Sequence, residues 1–387
     1  MSDLIHADSP LISRRHWLKL AGVGAGAAGL GLLSGCSQSE AVADTAEAAP
    51  DTSGIAIMSS NENPFGPSPM AMEAMRAEVG NIYRYSGPSL VELGEYIAAR
   101  EGVAPEQVLI TNGSTPLLAA FSQWAFMNDK TILTSAVTYE GVPRVAEAYG
   151  ANVIYTPLTP DLGYDMEAIA AQVAPGMAVY LCNPNNPTGR TIDPAVLDAF
   201  VDTVSQTNPI FIDEAYLDMA EDYPAGVMTK YVEMGRPVVV ARTFSKIYGM
   251  AGQRIGYALM PADMAMEWRG YGHLSSVNQL GIVAARASLE DTAHFEEMRL
   301  KTKAGRDRLI AMAADLGRPI APSPQGSFIF MDVGMSNAEF ARQMMDRGVR
   351  VVGNRWTAMP EWTRICVGLD HEIDRCHEAA AEILSSI

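Results

Sequence analysis

Seven short β-rich runs alternate with amphipathic helical stretches, and no other feature constrains the fold as strongly. The runs are VLIT (108–111), TILT (131–134), NVIY (152–155), AVYLC (178–182), IFIDE (210–214), VVVAR (238–242) and GYALM (256–260). Strand and helix in rotation imply a mostly parallel sheet covered by helices on both faces. A chain of 387 residues is long enough to bury such a core and to carry more than one lobe. From 261 to 315 the pattern changes to long helices, ending in HFEEMRLKTKAGRDRLIAMAADLG. A second, smaller α/β unit follows: SFIFMDV (327–333), a helix over 337–347, VRVV (349–352), WTRICVG (362–368) and a final helix. The expected division is a large domain over 81–272 and a small domain over 273–387, to which an arm at 53–80 belongs.

In an open α/β sheet, ligands bind outside the carboxyl ends of the strands. Polar clusters stand at those positions. After VLIT comes TNGSTPLL, where Gly113 allows a tight turn, Ser114 and Thr115 can cap, and Pro116 suits a first helical turn. Such a helix N-terminus can seat a phosphate. The fourth run ends in CNPNNPTG, which holds Asn186 rigidly between prolines. The fifth ends in FIDEAY: Asp213 follows an apolar run directly, where an unpaired carboxylate is costly, and Tyr216 lies three residues on. After the sixth comes TFSK, ending on Lys246, with Arg254 eight residues later. A desolvated lysine has a lowered pKa and becomes a nucleophile, and an arginine offers a planar fork to a phosphate or carboxylate.

One ligand satisfies all of these groups: an aromatic aldehyde phosphate with a basic ring nitrogen, which is pyridoxal 5′-phosphate (PLP). Its phosphate takes the helix N-terminus, the hydroxyls and Arg254. Asp213 keeps the ring nitrogen protonated, Asn186 and Tyr216 hold the phenolic oxygen, and Lys246 binds the aldehyde carbon.

NENPFGPSP (61–69), CNPNNPTG (182–189), DEAY (213–216), TFSK (243–246), GQRIGY (252–257) and TRICVG (363–368) resemble the class I/II aminotransferases of the PLP-dependent fold type I. The resemblance runs from about residue 53 to the C-terminus and is strongest to the histidinol-phosphate aminotransferase branch. It implies Lys246 as the covalent lysine and proton shuttle and Tyr139, in VTYEG, as the residue stacked on the ring. Ser114, Thr115, Thr243, Ser245 and Arg254 would surround the phosphate. Arg364 would clamp the substrate carboxylate, Arg355 would serve the substrate, and the arm around Asn63 to Phe65 would cover the site. Tyr85, in YRYSGP, would reach the phosphate of a neighbouring subunit, which implies a homodimer.

The chain also departs from the branch. GSTP stands in place of Gly-Ser-Asp-Glu and YSGP in place of Tyr-Pro-Asp-Pro, and VVGNRW (351–356) moves an arginine to Arg355. The reaction implied is transfer of an amino group from L-histidinol phosphate to a 2-oxo acid such as 2-oxoglutarate. An aromatic or other amino-acid donor is the alternative, as is a decarboxylase, racemase or C–S lyase on the same fold.

A formal net charge of −17 argues against a nucleic-acid partner. The N-terminus carries paired arginines (Arg14, Arg15), a weakly apolar glycine-rich stretch over 20–35, and LSGC ending on Cys36. It resembles a twin-arginine export signal with a lipoprotein cleavage box over 1–36, which would make Cys36 a lipid anchor and the protein periplasmic or membrane-anchored. The alternatives are a single membrane anchor, or an ordinary helix in a cytoplasmic protein. Gly24, Gly26 and Gly29 spell the dinucleotide fingerprint, but no strand precedes them. SQSEAVADTAEAAPDT (37–52) reads as a flexible linker. Beyond Cys36 the cysteines are Cys182, Cys366 and Cys376, an odd number that favours buried free thiols over a disulfide framework. Pairing of Cys366 with Cys376 is the other reading. No motif points to a metal.

Overall fold

The computed structural model describes residues 54–385 apart from His273 and Ser275. The export signal read over 1–36 and the linker read over 37–52 lie outside the described residues. In chain order the elements are β1 (Ala56–Ile57), α1 (Pro69–Glu78), α2 (Gly87–Glu101), β2 (Val108–Thr111), α3 (Thr115–Met127), β3 (Thr131–Ser135), α4 (Pro143–Tyr149) and β4 (Val153–Thr156). Then come α5 (Met166–Gln172), β5 (Met177–Cys182), α6 (Pro194–Val204), β6 (Ile210–Asp213), α7 (Thr229–Glu233), β7 (Val238–Thr243), β8 (Gly256–Leu259) and α8 (Ala262–Arg269). The chain closes with α9 (Gln279–Glu290), α10 (Thr292–Asp315), β9 (Phe328–Asp332), α11 (Asn337–Asp346), β10 (Val349–Arg350), β11 (Trp362–Cys366) and α12 (Asp370–Leu384).

The expected seven-stranded sheet forms, in the order β2-β8-β7-β6-β5-β3-β4. All its pairs are parallel except those of β8, which runs antiparallel to both β7 and β2. Side chains alternate between the two faces of a strand. Val179, Leu181, Ile210, Ile212, Val238 and Val240 accordingly join one core, and Ala178, Tyr180, Phe211, Val239 and Ala241 the other. Burial on both faces is why these runs are apolar without a break. The edge strand β4 is the exception, with Tyr155 exposed.

The C-terminal elements build a third core from Leu309 and Met312 of α10, Ile329 and Met331 of β9, Phe340 of α11 and Ile373 and Ile383 of α12. Here β9 and β11 pair antiparallel. The strand expected over 349–352 pairs only through Val349 and Arg350, because its partner β1 is itself two residues long. The segment before β2 divides its contacts. β1 pairs with β10, while Ala71 and Met75 of α1 pack with Ile282 and Ala285 of α9 in the core of the large sheet. The three cysteines among the described residues are free and buried.

Candidate active site

A cavity of about 510 Å³ opens at the carboxyl ends of β2, β5, β6 and β7. Because parallel strands all end on the same edge, residues far apart in sequence meet there. Lining it are Ser114, Thr115, Tyr139, Asn186, Asp213, Tyr216, Thr243, Ser245, Lys246, Arg254, Arg355 and Arg364, with Ser59, Ser60, Asn61 and Glu62 from the arm.

Asp213 is the last residue of β6 and only 3% exposed. Its Oδ1 accepts from the Ala215 N–H at 3.2 Å. Burial pushes its carboxyl up to about 6, against the opposing pull of the Ala215 N–H and of Lys246. A buried carboxylate with so little compensation calls for a cation, and the protonated nitrogen of a ring is one.

Lys246 follows the turn after β7. It is half-buried, and its Nζ donates to the carbonyls of Asn61 at 3.1 Å and Ser60 at 3.3 Å. Burial above all, then the Arg364 charge, lowers its pKa to about 8. Far more of it is therefore unprotonated near neutrality than of an ordinary lysine, as a nucleophile or base requires. Gly249, at φ +66°, ends this turn against the arm. A Cβ there would lie 2.3 Å from the Gly66 carbonyl, so the close approach of the two segments requires glycine.

At the other end of the cavity Arg254 adopts a left-handed backbone (φ +51°) and pins its guanidinium on the Ala251 carbonyl at 2.9 Å and Ser245 Oγ at 3.3 Å. Gly113 has to be glycine beside it: φ is +81° and a Cβ would lie 2.3 Å from Arg254 Nη2. Ser114, the N-cap of α3, makes no side-chain cap bond, and Pro116 sits in the first turn. The helix N-terminus, the guanidinium and the hydroxyls of Ser114, Thr115, Thr243 and Ser245 thus make a seat for a dianion.

Arg364 projects from β11. It is 4% exposed; Nη1 donates to Asn186 Oδ1 at 2.7 Å and Nη2 to the Ser59 carbonyl at 2.5 Å, while its buried Nε has no partner. Arg355 is more exposed, with Nη2 3.6 Å from Glu140 Oε2. Both guanidiniums act on Tyr139, whose hydroxyl is raised chiefly by burial and by Asp213.

Three of the expected residues do not line the cavity. Asn63 instead donates to the Ile247 carbonyl at 2.8 Å and accepts from the Phe65 N–H at 3.0 Å, fastening the arm beside the turn after Lys246. Phe65 packs in the cluster that contains Tyr216 and Ile247. Tyr85 is fully exposed at a separate cavity of about 540 Å³ formed with Arg84, Ser86 and Asn278.

Two sets of residues escaped the sequence reading. The first is Asn61, which bonds Tyr216 and Cys366. Its signal is the first asparagine of NENP (61–64), of which the motif resemblance points to the second, Asn63. The other is Arg242, the charged end of an apolar run. It donates Nε to Glu214 Oε2 at 3.0 Å and Nη1 to both oxygens of Glu101 at 2.8 Å, and Tyr257 Oη donates to the same Glu101 at 3.0 Å. Glu214, next to Asp213 but on the opposite face of the sheet, is pushed up to about 7 by burial, a shift that Arg242 restrains. These charges brace the ends of β6, β7 and β8 from behind the cavity.

A carboxylate, a half-buried lysine and a dianion seat in one cavity, with a second guanidinium beyond them, match the chemistry of PLP group by group. Residues 54–383 match the model of the aminotransferase class I and II family, and the chain belongs to that family. It is a PLP-dependent aminotransferase. The histidinol-phosphate aminotransferase of Moorella thermoacetica is 33% identical over 332 residues, 85% of either chain. The solved structure of the histidinol-phosphate aminotransferase from Sinorhizobium meliloti in complex with pyridoxal-5′-phosphate superposes with a TM-score of 0.77 at 29% identity, covering 86% of this chain and 91% of that one. The fold is shared also with the aspartate aminotransferase of Thermus thermophilus with maleate, at a TM-score of 0.74 and 22% identity, over 85% of this chain and 91% of that one.

Proposed function

We propose that this aminotransferase moves the amino group of L-histidinol phosphate, the substrate named in its relatives, to a 2-oxo acid such as 2-oxoglutarate. Arg364 carries the reading. Its guanidinium lines the cavity that holds Lys246, and a fixed positive charge there suits an anionic group of the substrate. Either the phosphate of the donor or the carboxylate of the acceptor is that group in alternate half-reactions, with Arg355 as the second guanidinium at the rim.

In the proposed seat Arg254, the N-terminus of α3 and the hydroxyls of Ser114, Thr115, Thr243 and Ser245 hold the cofactor phosphate. Asp213 takes the ring nitrogen, Asn186 and Tyr216 the phenolic oxygen, and Tyr139 lies over the ring. PLP, when bound, supplies an electron sink for charge developing at the substrate Cα. Lys246 Nζ would hold the cofactor, and as a base it would take the proton from the substrate Cα and deliver it to the cofactor's aldehyde-derived carbon. A base lowered to about 8 is matched to that task near neutral pH. The arm segment Ser59–Glu62 roofs the cavity and limits the entry of water.

The working unit in this reading is a homodimer. Val79, Ile82, Tyr83 and Tyr85 between α1 and α2, with Val91 of α2, are exposed, apolar surface suited to a second copy. Tyr85 would then reach the neighbour's phosphate seat. We read Arg14, Arg15 and Cys36 as a twin-arginine signal with a lipid-modified cysteine. A route that carries folded protein suits an enzyme that binds its cofactor before export. Cell fractionation with Arg14 and Arg15 replaced by lysine tests this, and an unchanged distribution would overturn it.

The donor is tested by adding single amines to the holoenzyme without acceptor and following the visible absorption of the bound cofactor. Conversion by histidinol phosphate at low concentration is expected. Conversion by aromatic amino acids alone would overturn the assignment of the donor.

A further inference from the structure

Asn61 lines the cavity from the arm, 1% exposed, with a left-handed backbone at φ +51°. Four contacts hold it. Its main-chain N–H donates to Cys366 Sγ at 3.1 Å, and its Oδ1 accepts from the same thiol at 2.8 Å. Its carbonyl accepts from Lys246 Nζ at 3.1 Å, and its Nδ2 donates to Tyr216 Oη at 2.8 Å.

A second amide reaches the same hydroxyl: Asn186 Nδ2 donates to Tyr216 Oη at 3.3 Å. The direction of Asn186 is set by Arg364, which has only donors to offer and gives Nη1 to Asn186 Oδ1 at 2.7 Å. For Asn61 the corresponding constraint is the Cys366 thiol. Its sulfur already receives the Asn61 N–H, so its one proton goes to Oδ1, which turns Nδ2 toward Tyr216. With the amide reversed, the thiol proton would face an NH₂ group and the Tyr216 proton would be drawn to Asn61. Tyr216 Oη therefore accepts from two N–H groups. Its single proton must be donated elsewhere, and the open side of Tyr216 is the cavity that it lines.

We propose that Asn61, locked by the Cys366 thiol, is a positioning residue that aims the Tyr216 O–H into the cavity. The proposal rests on the cofactor seat described above, in which that proton meets the phenolic oxygen. A donor at that oxygen stabilises its ionised form. Losing the donor lets the proton shared with that oxygen be held more tightly.

The test is the pH titration of the visible absorption of the holoenzyme, with cofactor content measured in parallel. Tyr216→Phe removes the donor, and its midpoint is expected to rise by about one pH unit. In Asn61→Asp the new carboxylate accepts the Tyr216 proton and turns it out of the cavity, so the midpoint is expected to rise similarly. In a Tyr216→Phe background the same change is expected to add nothing, because no hydroxyl remains to redirect. Cys366→Ala frees the amide to reverse and is expected to raise the midpoint, whereas Cys366→Ser retains a donor and keeps the midpoint of the parent. That pair decides the matter should Asn61→Asp fail to fold.

An unmoved midpoint in Asn61→Asp, or an equal rise with and without the Tyr216 hydroxyl, overturns the proposal. Equal midpoints for Cys366→Ala and Cys366→Ser overturn the role of the thiol. An unmoved midpoint in Tyr216→Phe itself would instead sink the cofactor seat.

Discussion

Replacing Asp213 by asparagine is expected to stabilise the cofactor-free protein while abolishing turnover. The Asp213 carboxyl, 3% exposed, is pushed from an ordinary 3.8 up to about 6 by burial. A raised carboxyl pKa means that the folded state binds the proton more tightly than the unfolded chain does. The cost of ionisation is thus absent below the unfolded value, develops between the two values and is complete above the folded one. A difference of about 2 pKa units at roughly 1.4 kcal/mol each makes about 3 kcal/mol at neutral pH. The neutral amide escapes this cost, and its Oδ1 can still accept the Ala215 N–H. An unfolding entropy of about 2.1 cal/mol/K per residue over roughly 330 residues converts this into a rise in Tm of about 4 °C. Thermal melts of the two apoproteins across pH measure it directly. The advantage should be full at about pH 8 and vanish at about pH 3, where both proteins carry a neutral side chain. An apo variant that melts no higher than its parent at the alkaline end, or a gain that does not change with pH, would refute the reasoning. With cofactor bound the order should reverse, because the variant lacks the carboxylate proposed to keep the ring nitrogen protonated.

Lys246→Ala should lower the steady-state transamination rate by at least the roughly 10²–10⁴-fold that a positioned proton-transfer base contributes; retained turnover would remove Lys246 from the chemistry. Binding of PLP to the apoprotein should accelerate with pH around a midpoint of about 8, since Lys246 is held below its ordinary value and only the unprotonated amine reacts. A stopped-flow midpoint near the ordinary lysine value would contradict the burial effect. Arg364→Met should raise KM for the 2-oxo acid by about 10–100-fold, the loss of one charge-assisted contact at about 1.5–3 kcal/mol, with kcat less affected. Arg242→Met leaves Glu101 and Glu214 facing each other without their cation; an unfolding free energy from denaturant titration lower by about 3–5 kcal/mol is expected, whereas a change below about 1 kcal/mol would show that the bridge contributes little.

Most of the cavity could be read locally. In a parallel sheet each strand ends on the same edge, so the residues that follow VLIT, AVYLC, IFIDE and VVVAR had to converge, and Ser114, Asn186, Asp213 and Lys246 do. Arg254, read from its place eight residues after Lys246, joins them because β8 runs antiparallel and so starts, two residues later, at that same edge. The arm was misplaced by a few residues. Asn63 and Phe65 lie behind the cavity wall, while Ser59 to Glu62 form part of it, because β1 engages β10 through only two residues and no local pattern announces that register. The buried charges of Arg242, Glu101 and Glu214 were equally silent, since each partner comes from a different element.

Two kinds of information can be separated on this molecule. Periodicity and the residues punctuating it suffice for the α/β class, for the edge of the sheet where chemistry occurs and for the groups assembled there, because strand direction alone carries those groups together. Which proton points where is settled by contacts between segments some 305 positions apart, as between Asn61 and Cys366. The same holds for the burial that moves Asp213 up and Lys246 down. Hydrogen-bond direction and desolvation depend on atoms within a few ångströms in space, and a residue's neighbours in the chain do not supply them.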